Sequence, residues 1–541
     1  MAGSPQSDPP EDFNQTPPLG DVDLFAIDRP LQEAVAANGA GSETQALSSF
    51  GRHWGRAELT EQARLADKNP PQLDAGMVEF HAAYHHFMTD SMAAGLHAMT
   101  WRADATAAPA PAEVARAARY FMVAQVENGH MCPVTMTRAS VAALAGEPAL
   151  AAMLMPKITS RSYDPSFRSW WEKSAMTLGM GMTERQGGTD VRANRTRAVA
   201  DGDGYRITGE KWFMSAPMSD AFLVLAQAPG GLTCFFMPRF RPDGRVNALH
   251  FRKLKDKAGN RSNASAEVEF SNAYAVRIGE EGKGIRTILK MVQLTRLDCA
   301  IASAGLMRAA LVQALHNARH RRVFGKLLLE QPMMRSVLAD LALEVEGALA
   351  LVMRLCRAFD LSASDENEAS LARLLTPTAK YWICKTAPAF TYEAMECLGG
   401  NGYVEESSIV PRLFREAPVN AIWEGSGNVM CLDVLRAMRS EGEGAQATLS
   451  GLAREAAGLA GAGEAVQFIQ RTLAGNSAEA QARAAVERLA LLAASAALHR
   501  NAPEIAALFA RTRLTGLRGA NFGTSDLSDK EAAMLLARAL P

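Results

Sequence analysis

The sequence lacks several features that would assign it at once to a class of protein. Its 541 residues carry a formal net charge of −1, so no overall basic excess points to nucleic acid and no acidic excess points to a solvating tail. No uninterrupted apolar run reaches the length of a membrane span, and the N-terminus has no apolar core of a signal peptide. These absences favour a soluble protein of the cytoplasm.

Disulfide and metal-ligand patterns are also missing. The seven cysteines are scattered without a CxxC pair, which is typical of reduced thiols rather than a disulfide framework. His81, His85 and Asp90 share one helical segment, yet no HExxH arrangement accompanies them, so we predict no metal site. Several cysteines stand in apolar surroundings and are predicted to be small core residues: Cys132, Cys299, Cys384 and Cys431.

The chain is too long for one ordinary core, and its composition and hydrophobic periodicity change along its length. Residues 1–30 are rich in Pro, Asp and Ser and are predicted to form a flexible arm. Apolar residues at helical spacing predict a helical domain over residues 31–178. Residues 179–280 alternate in short stretches around an Asp-Gly-Asp-Gly turn and a Pro-Gly-Gly turn, which predicts a β domain.

Long helical patterns return after residue 280. Their lengths and short connections predict an antiparallel helical bundle over residues 281–440. Ala-rich helical segments, interrupted by Gly, Asn and Pro, predict a separate C-terminal helical domain over residues 441–541. The predicted fold class is therefore α+β.

Two motifs in the β domain carry groups suited to a cofactor. "GMGMTERQGGTDV", from Gly179 to Val191, offers hydroxyls and unhindered backbone N–H groups for a pyrophosphate, although a glycine-rich surface turn would look the same. In "GEKWFMS", Trp212 could stack on a planar ring and Ser215 could bond its edge. An ordinary core tryptophan is the alternative.

Three motifs in the helical bundle are equally ambiguous when taken alone. Arg321 in "RHRRVFG" either complements the end of a long helix or grips a phosphate. Gly399 and Gly400 in "ECLGGNGY" permit a close approach of the backbone. Glu424 in "IWEGSGN" either favours a helix N-terminus or places an acid in an apolar pocket.

In this order, the motifs resemble those of the acyl-CoA dehydrogenase flavoprotein family over the segment from Leu31 to Arg436. The resemblance implies an N-terminal helical domain, a central β-barrel domain, a helical bundle and an FAD cofactor. It also implies a homotetramer in which Arg321 and Phe324 reach the FAD of a neighbouring subunit. Gln331 stands one residue away from the family's usual spacing. The other FAD-binding residues implied by the resemblance are Met182, Thr183, Gly188, Thr189, Trp212, Ser215, Gly399, Gly400, Ser426 and Asn428.

Glu424 matches the family's catalytic base, which removes the α-proton of an acyl thioester while a β-hydride passes to the flavin. A dry pocket walled by Ile422 and Trp423 would raise its pKa and strengthen it as a base. Some relatives place the base directly before the arginine that matches Arg296, but Thr295 stands there in this chain. Arg296 is predicted to orient the base or to stabilise a negatively charged intermediate. Nitroalkane-oxidising relatives carry an aspartate in place of Glu424, which argues against that reaction.

Finer features resemble one branch of this family. They include "LKDKAGNRSNASAEVEF" and Trp423, where most relatives have tyrosine. The branch is linked to the adaptive response and to protection of DNA from alkylation damage. It shows weak acyl-CoA dehydrogenase activity and non-specific binding of double-stranded DNA.

Charge composition does not favour DNA binding by the C-terminal region. Cations and acids balance between Glu441 and Pro541. A metabolic short- or branched-chain acyl-CoA dehydrogenase without a DNA role therefore stays open as the alternative. The local cationic excess that is predicted to carry DNA binding consists of Arg500, Arg511, Arg513 and Arg518.

Overall fold

The computed structural model of the chain describes residues 14–101, 111–440, 442–475 and 478–541. Helices form the N-terminal and C-terminal parts and a β domain lies between them, which confirms the predicted fold class. The N-terminal elements are α1 (Arg29–Ala37), α2 (Thr44–Trp54), α3 (Ala57–Lys68), β1 (Gln72–Asp74), β2 (Met77–Glu79), α4 (Ala82–Ala93), α5 (Ala112–Ala124), α6 (Met131–Leu144) and α7 (Pro148–Ile158).

The prediction of a flexible arm is wrong for residues 14–30, while residues 1–13 lie outside the described residues. Phe25 is buried, and the buried carboxylate of Asp28 pairs with Arg308 Nε at 3.0 Å. Asp28 also accepts a hydrogen bond from the backbone N–H of Leu31 and so caps α1. The Asp and Pro residues that suggested an arm instead form a turn and the cap of α1.

The β domain is a barrel-like sheet whose strands run in the spatial order β3-β5-β4-β6-β7-β9-β8. The pairs Asp201↔Gly204 and Ala228↔Gly231 confirm both predicted hairpin turns. Additional β3–β6 and β5–β9 pairings close the sheet on itself. The strands are β3 (Leu178–Gly181), β4 (Arg197–Asp201), β5 (Gly204–Ser215), β6 (Ala221–Ala228), β7 (Gly231–Pro238), β8 (Leu249–Leu254) and β9 (Ser265–Ile278).

A long central helix organises the helical bundle. This helix, α8, is apolar around most of its circumference and is long enough to cross a membrane, but 89% of its most apolar window is buried inside the protein. A helix buried on all sides serves as the core around which others pack. The elements of the bundle are α8 (Gly284–His320), β10 (Arg322–Val323), β11 (Lys326–Leu327), α9 (Pro332–Leu361), α10 (Glu366–Cys397), α11 (Gly400–Tyr403), α12 (Val410–Glu416) and α13 (Gly427–Ser440).

The C-terminal helices share their core with the bundle, so the prediction of a separate domain needs correction. Helix α16 packs against α9, α10 and α13, and its apolar residues belong to the same cluster as those of α8. Gly347 of α9 makes room for this contact, because a Cβ there would lie 2.3 Å from the ring of Phe509. The C-terminal helices are α14 (Gly442–Glu455), α15 (Ala462–Ala474), α16 (Ala478–Asn501), α17 (Pro503–Phe509) and α18 (Asp529–Ala539).

A buried ionic cluster fastens α8 to the N-terminal helices. Asp298 of α8 is 1% exposed and accepts hydrogen bonds from both terminal nitrogens of Arg116, at 2.8 and 2.7 Å. Arg138 and Thr135 donate to the same carboxylate at 3.2 and 2.8 Å. Because removal of one partner leaves an unpaired charge in the interior, such a cluster is costly to break.

We therefore expect Asp298→Asn to lower the free energy of unfolding by about 3 kcal/mol, since Arg116 and Arg138 lose one of two counter-charges and keep only Glu113. Urea denaturation followed by circular dichroism measures the change. Glu58→Gln is the matched control, because the Glu58 side chain is 64% exposed beside Arg56. Its expected effect is below about 0.5 kcal/mol. Equal destabilisation in the two variants would contradict the assignment.

Candidate active site

Glu424 lies in a strained turn between a 3₁₀ segment, Ala417–Ala421, and α13. Its φ is +57°, and the φ of Gly425 is +103°. A non-glycine residue in the left-handed region costs on the order of 1–2 kcal/mol and persists only where its surroundings enforce it. Arg296 Nε donates to the carbonyl of Glu424 at 2.9 Å, and Lys380 Nζ donates to that of Gly425 at 2.8 Å. Two buried cations from two helices thus hold the turn.

The Glu424 carboxylate faces a cavity and has a perturbed pKa. Desolvation by burial raises the pKa above its ordinary value of 4.5. The hydrogen bond from Thr295 Oγ1 to Glu424 Oε2, at 2.8 Å, and the charges of Arg296 and Lys380 only partly oppose this shift. The result is a stronger base than an exposed carboxylate.

The Arg296 guanidinium binds the backbone of Glu424 and the carboxylate of Asp433, at 2.7 Å. Arg373 donates to the other oxygen of Asp433 at 2.9 Å. Of the two roles predicted for Arg296, these contacts fit the orienting one. The Asp433–Arg296 pair is itself buried, which keeps the guanidinium in place.

The cavity in front of Glu424 has a volume of about 30 Å³. One wall is mostly apolar and is formed by Met131, Cys132, Met136, Ala302, Val419 and Trp423. The remaining lining is mostly polar, with asparagine side chains and two further carboxyl groups, Asp298 and Glu416. A space of this size holds one small group in the conformation described.

The loop that follows β3 carries the first part of the predicted flavin site. Trp212 N donates to the carbonyl of Thr183 at 2.8 Å, which joins this loop to the end of β5. Gly188 packs against Thr183, since a Cβ at Gly188 would lie 2.3 Å from the Thr183 hydroxyl. Buried Glu184 fixes the loop by accepting a bond from Lys211 Nζ at 2.8 Å. The next residue after Gly188, Thr189, is exposed.

Ser215 and Met182 face the same region as Glu424. Ser215 pairs with Met180 across the sheet, and Met182 packs on an apolar cluster that also contains Cys132 and Trp423. The described chain therefore brings Met182, Thr183, Gly188, Trp212 and Ser215 to one edge of the β domain.

Trp212 is half-exposed and lies close to two cations. Arg185 lies 4.9 Å from the centre of a Trp212 ring, and Lys255 Nζ lies 3.3 Å from it. Cations over an indole are attracted by its quadrupole. A flavin ring could stack on the indole face that Lys255 covers only if this side chain withdrew.

The second part of the predicted flavin site lies at the opposite end of α8. Between Arg296 and His320, a helical rise of about 1.5 Å per residue gives a separation of roughly 36 Å. Arg321 follows His320, and Phe324 lies at the tip of the β10–β11 hairpin, 98% exposed. One chain therefore holds two partial sites that do not meet.

Gly399 and Gly400 belong to this second part. Both are exposed, and a Cβ at either would meet no atom within 4 Å. The segment from Asn14 to Pro17 bridges the two loops, because Asn14 accepts a bond from Arg321 at 3.2 Å and Gln15 accepts one from Asn401 at 3.4 Å. The N-terminal segment thus fixes the relative position of Arg321 and the glycine loop.

Ser426 and Asn428 stand at the start of α13, directly after the base. Both residues are exposed, and Arg483 of α16 donates to Asn428 Oδ1 at 2.9 Å. The C-terminal helices therefore reach the edge of the site.

The C-terminal arginines do not form the predicted exposed patch. Arg513 is buried, with one terminal nitrogen 2.5 Å from Asp340 and 2.9 Å from Glu344, so its charge is neutralised inside the protein. Arg518 also pairs with Glu344, and Arg511 with Glu531, at 3.0 Å in each case. Arg500 is exposed. The inclusion of Arg513 in a DNA-binding surface is wrong for this conformation, because its side chain fastens the C-terminal region to α9.

Sequence reasoning missed several residues around the base. Lys380 is 1% exposed, and its only signal is a single charge within the apolar stretch that follows Thr376. The sequence presents Thr295 only as a residue that cannot serve as the base, whereas its hydroxyl donates a hydrogen bond to Glu424. Glu416 carries no local pattern, and Asn260 lies within "LKDKAGNRSNASAEVEF" without any signal that places it at the cavity.

A β domain between helical regions, with a desolvated carboxylate at a small cavity, defines the acyl-CoA dehydrogenase class. Models of that family match residues 179–273 (acyl-CoA dehydrogenase, middle domain) and 282–439 (acyl-CoA dehydrogenase, C-terminal domain). Residues 14–165 match the adaptive response protein AidB N-terminal domain. AidB of Escherichia coli is 50% identical over 79% of this chain and 80% of its own length. The chain belongs to the acyl-CoA dehydrogenase family, in its AidB group.

Solved structures support this assignment. ACDH-11 of Caenorhabditis elegans, in complex with C11-CoA, superimposes with a TM-score of 0.83 at 25% identity over 98% of this chain and 97% of that one. Butyryl-CoA dehydrogenase of Megasphaera elsdenii, with a TM-score of 0.58 at 20% identity over 76% and 98%, supports the fold alone. The family consists of flavoprotein oxidoreductases that act on CH–CH groups, and this chain is an enzyme of that type.

The hydrogen bond from Lys380 to the carbonyl of Gly425 leads to a direct prediction. Lys380→Met should slow turnover of an acyl thioester by about 10- to 100-fold. Without the Lys380 hydrogen bond the Glu424 turn can shift, and a displacement of the base by up to about 1 Å is enough for such a loss. Anaerobic stopped-flow absorbance measures the rate, and bound flavin per chain shows that the site is otherwise intact. Lys385→Met is the control, since Lys385 is exposed on the same helix. Equal rates for the two variants would show that turnover does not depend on the Lys380 hydrogen bond.

Proposed function

We propose that this protein binds FAD and dehydrogenates an acyl thioester, with Glu424 as the catalytic base. The observation that carries the proposal is the desolvated Glu424 carboxylate, fixed by Thr295 and facing a small cavity beside the β-domain loop. Relatives named as acyl-CoA dehydrogenases, among them the C. elegans protein solved with C11-CoA, support a thioester substrate.

The residues at the edge of the β domain suit an FAD isoalloxazine and its pyrophosphate. Thr183 supplies a hydroxyl, and the exposed Gly188 and Thr189 supply backbone N–H groups. Trp212 and Ser215 are half-exposed beside them. The space next to Gly187, where a Cβ would meet nothing within 4 Å, leaves room for a phosphate. Met182, Ser426 and Asn428 would complete this side of the site.

The proposed reaction moves one proton and one hydride. Glu424 takes the proton from the α-carbon, and the pair of electrons left behind forms the new C=C bond as the β-carbon loses its hydride. FAD, when bound, supplies the acceptor for that hydride. Arg296 and Lys380 hold the Glu424 turn still during proton transfer, and the Thr295 hydroxyl aligns the carboxylate oxygen.

We infer a homo-oligomer, and a homotetramer as in the family resemblance, because one chain leaves its two partial sites far apart. Arg321, Phe324, Gly399 and Gly400 of one subunit would cover the FAD of its neighbour. The almost complete exposure of Phe324, an apolar ring at a hairpin tip, supports such a contact. All seven cysteines are free and buried, which supports a reducing compartment such as the cytoplasm.

The purified protein is expected to be yellow, with non-covalent FAD. Thr183→Ala combined with Trp212→Ala should release most of the flavin, since both side chains line the same loop edge. Flavin absorbance per chain after gel filtration measures retention, and Phe213→Ala is the control because Phe213 is the exposed neighbour of Trp212. Colourless wild-type protein that takes up no added FAD would refute the proposal.

Glu424→Gln should abolish thioester-driven flavin reduction, by ~10²–10⁴-fold or more, while FAD stays bound. The wild-type rate should fall as the pH is lowered through the raised pKa of Glu424, because only the carboxylate accepts a proton. This acid limb should lie above the ordinary value of 4.5 and be absent from any residual activity of the variant. Stopped-flow rates across pH provide the measurement; a variant as fast as wild type would assign the base to another residue.

As a second candidate function, we propose weak, non-specific association with double-stranded DNA in an adaptive response to alkylation damage. The adaptive-response description of the matched N-terminal family and the 50% identity to AidB support it. The ion pairs of Arg511 and Arg518 and the burial of Arg513 oppose a strong C-terminal site. A metabolic short- or branched-chain acyl-CoA dehydrogenase without a DNA role is the competing proposal.

Fluorescence anisotropy with a labelled duplex at several salt concentrations separates these proposals. Neutralisation of Arg500, Arg511 and Arg518 to Gln should weaken binding and reduce the salt slope by up to ~0.9 for each phosphate that is no longer neutralised. Arg513→Lys is the control and should leave the slope unchanged, since Arg513 is internal. Unchanged binding by the triple variant would move the surface elsewhere, and no binding by wild type at low salt would favour the metabolic enzyme.

A further inference from the structure

Besides Glu424 and the ion-paired Asp298, a third carboxyl group lines the cavity. Glu416, at the C-terminal end of α12, is 5% exposed and forms no ion pair with any described residue. Burial and the nearby carboxylates of Glu127 and Asp67 raise its pKa to about 7, against a smaller opposing effect of Arg412. A neutral carboxylic acid both donates and accepts a hydrogen bond.

The side-chain amide of Asn260 lies beside this acid, and its oxygen has no hydrogen-bond partner among the residues that the structure describes. Asn260 Nδ2 donates to Glu416 Oε2 at 3.3 Å, whereas Asn260 Oδ1 has no hydrogen-bond partner in the described structure although the residue is 1% exposed. Asn260 also lines the cavity. Buried amide oxygens are almost always bonded, so an acceptor at a cavity wall calls for a donor from a water molecule or from a ligand.

The backbone around Asn260 keeps this acceptor in place. Gly259 lies so close to α12 that a Cβ would be 1.9 Å from the carbonyl oxygen of Arg415, and the φ of Asn260 is +54°. Ser262 Oγ donates to buried Glu127 at 2.6 Å, which ties the loop to the N-terminal helices. Asn260 is thus part of a rigid wall rather than a loose surface loop.

An unbranched hydrocarbon tail would fit this wall poorly. It would leave Asn260 Oδ1 without a donor and would add no partner to the Glu416 carboxyl beyond Asn260 Nδ2. An unsatisfied buried polar group costs about 1–3 kcal/mol. A hydroxyl can donate to Asn260 Oδ1 and accept from a protonated Glu416, so one small group satisfies both. The volume of about 30 Å³ leaves room for one such small group.

From this juxtaposition we infer that Glu416 and Asn260 select an acyl thioester whose acyl group carries a hydroxyl. The inference rests on the proposed acyl thioester function and narrows its substrate class. Glu416 and Asn260 are specificity-determining residues, and Glu424 alone takes the α-proton.

Matched pairs of thioesters test the inference. Within each pair, an ω-hydroxyacyl-CoA is compared with the alkanoyl-CoA in which a methyl group replaces the hydroxyl, for acyl groups of four to six heavy atoms in the chain. Isothermal titration calorimetry on the FAD-loaded protein gives Kd, and anaerobic flavin bleaching gives the reduction rate. Wild type should bind the hydroxyl member at least about tenfold more tightly, because a site with open hydrogen-bonding groups rejects the apolar analogue.

Variants of Glu416 and Asn260 test whether these two residues cause the preference for the hydroxyl member. Glu416→Leu should abolish it or reverse it, while Glu416→Gln, which keeps a donor and an acceptor, should retain most of it. Asn260→Leu provides a second loss-of-preference variant if Glu416→Leu fails to fold, as judged by flavin content and melting temperature.

The outcomes separate the two proposals. Equal or tighter binding of the alkanoyl member by wild type, with normal flavin bleaching, would overturn the inference and leave the dehydrogenase proposal standing. A preference for the hydroxyl that persists in folded Glu416→Leu and Asn260→Leu would also overturn it. If no thioester of either kind binds or bleaches the flavin, the proposed function fails and the inference fails with it.

Discussion

The site depends on one strained turn, held by two buried cations. Glu424 adopts a left-handed conformation that few side chains adopt without external support, and Arg296 and Lys380 donate to the carbonyls of Glu424 and Gly425. The two cations come from α8 and α10, so the position of the base is set by the packing of the bundle itself. Changes far from the cavity that shift either helix will therefore act on the chemistry.

Burial makes the Glu424 carboxylate a stronger base, and ion pairs make the buried Asp298 carboxylate a structural anion. Asp298 on α8 is desolvated and fully paired, and its pKa is lowered by Arg116 and Arg138 despite burial. Glu424, which lines the same cavity, has weaker compensation, and desolvation raises its pKa. The difference lies in the number of cations that touch each carboxylate directly. Asp298 fastens helices together as a permanent anion, whereas Glu424 remains available to bind a proton.

The sequence predicted the fold class and both hairpin turns, because periodicity and glycine-containing turns are local signals. It also singled out Glu424 through its local motif. It did not predict Lys380, Glu416 or Asn260, which reach the base and its cavity only through contacts distant in sequence. It misjudged Arg513 for the same reason, since charge counting along the chain cannot reveal carboxylates that α9 places around it.

Proton abstraction by Glu424 is the central claim, and hydrogen exchange at the α-carbon measures it without any electron acceptor. NMR of a short acyl-CoA in D₂O, with substoichiometric protein, follows the disappearance of the α-hydrogen signal. With Glu424 as the base, exchange should be rapid with wild type and should run at the uncatalysed rate with Glu424→Gln, although both proteins bind the thioester. Exchange as fast with Glu424→Gln as with wild type would contradict the claim.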